Sequence, residues 1–116
     1  MPSELRKVVF SKDEVWKAVV SHCMRAAIHM PNAPLEDVVV PSNFEPAVEM
    51  LFAGDQKGYF RKVELGLPEV AAALIRFCRE QNVPLPKNGK KVLKPSDDGI
   101  AMLVNVGADA PLEKSA

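Results

Sequence analysis

Cysteine is scarce in this chain, which has two in 116 residues. Cys23 and Cys78 each fall within an apolar helical pattern rather than in a closely spaced pair. That placement indicates neither a disulfide framework nor a zinc ligand set. We therefore predict two buried, reduced thiols, as is typical of a cytoplasmic protein.

Long hydrophobic runs are also missing. An apolar stretch such as 70–75 is far shorter than the roughly 20 residues that cross a bilayer. The first seven residues lead only into Val8, Val9 and Phe10, not into a secretory apolar region. We expect a cytoplasmic protein without a membrane partner.

Nucleotide and metal motifs are absent or incomplete. The segment 54–58 is too short for a phosphate-binding P-loop, and Gly89-Lys90 is followed by Lys91 rather than by serine or threonine. His22 and His29 lie two helical turns apart, a rise of roughly 11 Å, which does not make a shared metal site. We read them as partly exposed histidines, and we predict no metal and no cofactor.

Catalytic pairs are no better supported. Cys23 follows His22 directly, so the two point about 100° apart on a helix and do not present a nucleophile with its base. Asp97 and Asp98 precede Gly99 in a pattern typical of a hairpin turn. No residue is predicted to be catalytic.

What the chain does have is material for one core, because 47% of its 116 residues are hydrophobic. We predict a single domain over residues 1–108 and a frayed tail over 109–116. The predicted class is α+β, with two helices on a largely antiparallel sheet and the order β-α-β-β-β-α-β-β. Residues 44–53 carry both strand and helix signals, and we favour the strand that pairs with 59–65.

The helix boundaries have specific signals. Ser11 and Glu14 form a capping-box pattern that starts the first helix, and Pro31 predicts its end near Met30. Pro68 fits the first turn of a second helix that runs to Gln81. Pro95 follows a predicted strand over Lys90 to Lys94 and suggests that this strand lies at a sheet edge or ends there.

Charge is unevenly distributed in a chain that is formally neutral. Nine lysines and arginines between positions 57 and 94 face only Glu64, Glu69 and Glu80, and such a field attracts anionic partners. The candidate binding residues are Arg76, Arg79, Lys87, Lys90, Lys91 and Lys94. The sequence leaves three alternatives for this surface: it binds nucleic acid, it binds an acidic protein, or it is an ordinary solvated face without a partner.

The second helix has a wide apolar arc. Ala71 and Ile75 extend it beyond the stripe that a core contact needs, which predicts either a homodimer contact or cover by another part of the chain.

The leading functional hypothesis is an interaction module with a basic face, which also self-associates and needs no catalysis. The alternative is a small enzyme or ligand-binding protein whose pocket forms only on folding. His22, His29, Glu45 and Tyr59 are its candidate residues.

Overall fold

The computed structural model of the chain describes residues 4–54, 60–86 and 90–106. These residues form a compact α+β domain whose element order is the one predicted. The elements are β1 (Glu4–Ser11), α1 (Lys12–Arg25), β2 (Leu35–Val39), β3 (Val48–Ala53), β4 (Phe60–Leu65), α2 (Leu67–Glu80), β5 (Lys90–Ser96) and β6 (Gly99–Val106). The predicted tail, Lys57, Tyr59 and Lys87 lie outside the described residues.

The strands form two antiparallel sheets of three strands each. The first sheet has the order β1-β6-β5, so the first strand pairs with the last one described. The second sheet is a β2-β3-β4 meander. Val48 pairs with Leu65 and Ala53 with Phe60, which confirms the strand prediction for this segment. β5 is an edge strand, as Pro95 indicated.

Helix α1 begins as the sequence predicts. The Glu14 backbone N–H donates to Ser11 Oγ at 3.2 Å, and the Ser11 N–H donates to Glu14 Oε1 at 2.9 Å. Both bonds of a capping box are therefore present, and they satisfy two amides that have no partner inside the helix.

The prediction that α1 continues to Met30 is wrong, because the helix ends at Arg25. Ala27 adopts a left-handed conformation with φ 56°, and the Ile28 N–H donates to the Cys23 carbonyl at 3.0 Å. This six-to-one bond closes a Schellman-type cap. Ile28 and Met30 still pack against the core, but from the chain that follows the helix.

Helix α2 ends in the same way. Asn82 has φ 58°, and the Val83 N–H donates to the Cys78 carbonyl at 2.8 Å. Asparagine tolerates this conformation, so the predicted stop around Asn82 is confirmed. Both helices are 14 residues long, and neither described helix is long and apolar enough to cross a membrane.

A single hydrophobic core joins the two sheets and the two helices. Phe10 of β1 meets Phe77 of α2 edge to face, with ring centroids 6.3 Å apart. Cys23 Sγ of α1 lies 3.8 Å from Met50 Sδ of β3. The helices thus pack against both sheets, and one face of the first sheet turns inward.

Candidate functional site

The basic residues of β5 divide between the two faces of that strand. Lys90, Val92 and Lys94 are exposed, whereas Lys91 and Leu93 are partly buried. Leu93 packs against the core, so Lys91 shares the core-facing side. Lys90 and Lys94 therefore share the opposite face of the strand, with Val92 between them.

Strand pairing extends this face across the first sheet. The cross-strand rows are Val9–Ala101–Lys94, Lys7–Leu103–Val92 and Leu5–Asn105–Lys90. Because alternate residues point to the same side of a strand, these nine residues share one surface. We call it the outer face of the first sheet.

The outer face combines exposed aliphatic groups with cations. Leu5, Val9 and Val92 are 66%, 54% and 42% exposed, respectively. Three lysines of this face make no ion pair with any residue that the structure describes: Lys7, Lys90 and Lys94. None of the nine residues is acidic. The surface is therefore both apolar and positively charged.

A second basic location is a cleft between the C-terminal half of α2, the segment 83–86 and the start of β5. Its volume is about 450 Å³. Residues that line it include Ile75, Arg79, Val83, Leu85, Pro86 and Lys91. The structure thus brings Arg79 and Lys91 together at this cleft.

The remaining predicted cations join neither group on the residues described. Arg76 is half-buried on α2, and Lys87 lies outside the described residues. The five predicted cations that the structure describes therefore occupy three places: Lys90 and Lys94 on the outer face, Arg79 and Lys91 at the cleft, and Arg76 on α2.

The two residues predicted for self-association are both half-buried. Ile75 packs against the core and lines the cleft beside the segment 83–86. Part of the extra apolar arc therefore faces another part of the same chain. Self-association through Ala71 and Ile75 stays a prediction.

His22 is buried, so the prediction of a partly exposed histidine is wrong for this residue. Its Nε2 lies 2.7 Å from Glu69 Oε1, which links α1 to the first turn of α2. Its Nδ1 is buried and has no hydrogen-bond partner among the described residues. His29, beyond the end of α1, and Glu45 are exposed.

The two cysteines are free and buried, in agreement with the predicted thiols. Burial raises the pKa of both thiols above the ordinary value, and a nearby carboxylate adds to it: Glu69 for Cys23 and Glu14 for Cys78. A raised pKa leaves little thiolate at neutral pH, so neither sulfur is suited to act as a nucleophile.

Within the described residues, no three histidine, cysteine or acidic side chains come together as a metal site. Comparisons with protein-family models, curated proteins and solved structures found no match.

Sequence reasoning missed Lys7, Leu5 and Val9 as members of a candidate site. Their alternation along β1 was visible in the sequence, but the pairing of β1 with β6 was not. Without that pairing, nothing connects them to Lys90 and Lys94, more than eighty positions later.

Proposed function

We propose that this protein is an interaction module whose outer face binds an acidic protein segment with apolar side chains. The observation that carries the proposal is the alternation of exposed aliphatic residues with lysines on the outer face: Leu5, Lys7 and Val9 along β1, and Lys90, Val92 and Lys94 along β5. A cytoplasmic location belongs to the same proposal and is supported by the two reduced thiols.

The charge of this surface favours an anionic occupant. Three lysines without an ion pair to a described residue attract negative charge and oppose a basic partner. Covering Leu5, Val9 and Val92 would contribute about 25 cal/mol for each Å² of apolar surface removed from water. A partner segment with acidic and aliphatic side chains satisfies both requirements.

The dimensions of the outer face predict a weak, exchanging interaction. With strands about 4.8 Å apart and residues about 3.4 Å apart along each strand, the nine positions span about 10 Å by 14 Å. That is smaller than one side of a standard stable interface, about 800 Å². One short segment, such as two or three helical turns, would cover it.

Side-chain chemistry favours protein over nucleic acid. None of the nine residues is aromatic, and proteins that bind single strands rely on aromatic rings for base stacking. Lysine alone would give salt-sensitive phosphate binding without a use for the exposed aliphatic side chains.

Fluorescence anisotropy with a labelled amphipathic peptide tests the proposal. The probe is a short helical peptide of leucine, alanine and glutamate, compared with a version in which glutamine replaces each glutamate. We expect low-salt binding of the acidic peptide only. The double variant Lys90→Glu, Lys94→Glu should weaken it about tenfold or more, because two rim charges change sign.

Lys17→Glu is the matched control, because it reverses an exposed lysine on α1, outside the outer face. It should change the affinity less than about twofold. Equal losses in Lys17→Glu and Lys94→Glu single variants would contradict a localised site. Tighter binding of single-stranded DNA than of the acidic peptide would replace the protein partner with nucleic acid.

A ligand-binding protein is the second candidate function. It is favoured by one observation, the cleft beside Arg79 and Lys91, which sequence alone did not reveal.

A further inference from the structure

The cleft beside α2 has a chemical character of its own. Ile75, Val83 and Leu85 give it aliphatic walls, and Arg79 and Lys91 are the two cations among the described residues that line it. None of the lining residues within the described part of the chain is an aspartate or a glutamate. Its volume of about 450 Å³ is in the range of small-ligand pockets.

The two cations are placed differently. The Lys91 ammonium donates a hydrogen bond to the Pro86 carbonyl oxygen at 3.2 Å, which holds it against the segment 83–86. Arg79 is exposed and makes no ion pair with any residue the structure describes. Its planar guanidinium can donate two parallel hydrogen bonds to a carboxylate.

The walls are stiff on one side. Pro84 and Pro86 both line the cleft, and each fixes its own φ. A wall that is already ordered loses little conformational entropy when a ligand binds.

We propose that this cleft binds a small amphipathic carboxylate. The carboxylate lies by Arg79 and Lys91, and its hydrocarbon part packs against Ile75 and Leu85. The lining residues that the structure describes include no aromatic ring for a base or a sugar to stack on, which favours a hydrocarbon ligand over a nucleotide. This site goes beyond the proposed function, because Lys91 and Lys90 belong to opposite faces of β5.

Octanoate is a suitable probe, and methyl resonances are a suitable readout. We expect octanoate to shift the methyl signals of Ile75, Val83 and Leu85 saturably, with millimolar or tighter affinity. Octanol, which has the same chain without the charge, should bind about tenfold more weakly, because it cannot make the charge-assisted contact with Arg79 and Lys91.

Arg79→Gln and Lys91→Gln should each weaken octanoate binding several-fold. Lys90→Gln is the matched control, because it removes the same charge from the neighbouring residue on the other face of the strand. Circular dichroism reports whether each variant is folded. If Lys91→Gln unfolds because the Pro86 contact is lost, Arg79→Gln alone decides the outcome.

Several results would overturn the inference: no saturable shift at those methyl groups, equal affinity for octanol, or unchanged octanoate affinity in Arg79→Gln. The outcome is also separable from that of the proposed function. Lys90→Gln should weaken the acidic peptide and spare octanoate, whereas Arg79→Gln should weaken octanoate and spare the peptide.

Discussion

At the scale of single residues, one backbone atom determines which residue type can occupy position 99. Gly99 has φ 157°, and a Cβ there would lie 1.9 Å from the Phe10 carbonyl oxygen. Gly99 begins β6 and pairs with Ser11 of β1 on one side and with Ser96 of β5 on the other. Only glycine fits between them without a backbone shift.

Gly99→Ala should therefore lower the free energy of unfolding by about 2–4 kcal/mol, because the clash is with backbone rather than with a flexible side chain. Urea denaturation measures the change. Gly66→Ala is the control, since a Cβ there would meet only Pro68 Cδ at 3.7 Å and φ is −81°. Equal losses in the two variants would show that glycine flexibility, not the contact at Phe10, matters.

The pKa of Asp37 depends on its contact with Lys12. The pKa of this carboxyl is lowered, mainly because Lys12 donates a hydrogen bond to it. The Val38 N–H and the charge of Lys12 lower it further, whereas burial acts in the opposite direction. The Lys12 Nζ lies 3.0 Å from Asp37 Oδ1. A lowered pKa stabilises the fold above the unfolded-state pKa, and this stabilisation is lost as pH falls through the folded-state pKa.

Lys12→Met should lower the free energy of unfolding at pH 7 by less than about 1 kcal/mol, because both side chains are about half exposed. The difference from the wild type should shrink as pH falls through the lowered pKa of Asp37, because the protonated carboxyl no longer pairs with the Lys12 ammonium. Urea denaturation at several pH values measures this. In an Asp37→Asn background the substitution should have little effect at any pH; a persistent effect there would assign it to something other than this pair.

At the scale of elements, sequence predicted where helices begin better than where they end. Ser11 and Glu14 make a local capping signal that needs no tertiary information. The end of α1 lacks such a signal, because Ala27 occupies the left-handed position that glycine usually takes. The apolar periodicity continued to Met30 because Ile28 and Met30 reach the core from a non-helical segment.

Ala27→Gly should raise the free energy of unfolding by about 0.5–1 kcal/mol, since it relieves the left-handed strain of alanine at an exposed position. Thermal and urea denaturation measure the gain. Asn82→Gly at the corresponding position of α2 should gain less, because asparagine already tolerates this conformation. Destabilisation by Ala27→Gly would mean that the longer predicted helix forms in solution.

At the scale of the whole molecule, sequence predicted the elements and their order but not their long-range pairing. Alternation along β5, which is a local pattern, places Lys90 and Lys94 on one face of the strand. The pairing of β1 with β6 depends on contacts between the two ends of the described chain, which no local pattern encodes. The outer face and the cleft are products of that pairing and of helix packing, so neither was complete in the sequence.

The predicted self-association also belongs to the scale of the whole molecule. We expect light scattering coupled to size exclusion to report a dimer that Ala71→Glu weakens, because a charge would enter the apolar arc of α2. Ala72→Glu, on an exposed neighbouring position, is the control. A monomer at every concentration would contradict the predicted dimer. The remaining role of Ile75 would then be to line the cleft.

The most direct test of the central claim is a charge swap across the outer face. The variant Lys90→Glu, Lys94→Glu is titrated with the acidic peptide and with a version that carries lysine in place of each glutamate. We expect the variant to bind the acidic peptide more weakly and the basic peptide more tightly than the wild type does, with both affinities falling as salt rises. Circular dichroism shows whether the variant is folded. If a folded variant binds the basic peptide no more tightly than the wild type does, the outer face of the first sheet is not the binding surface.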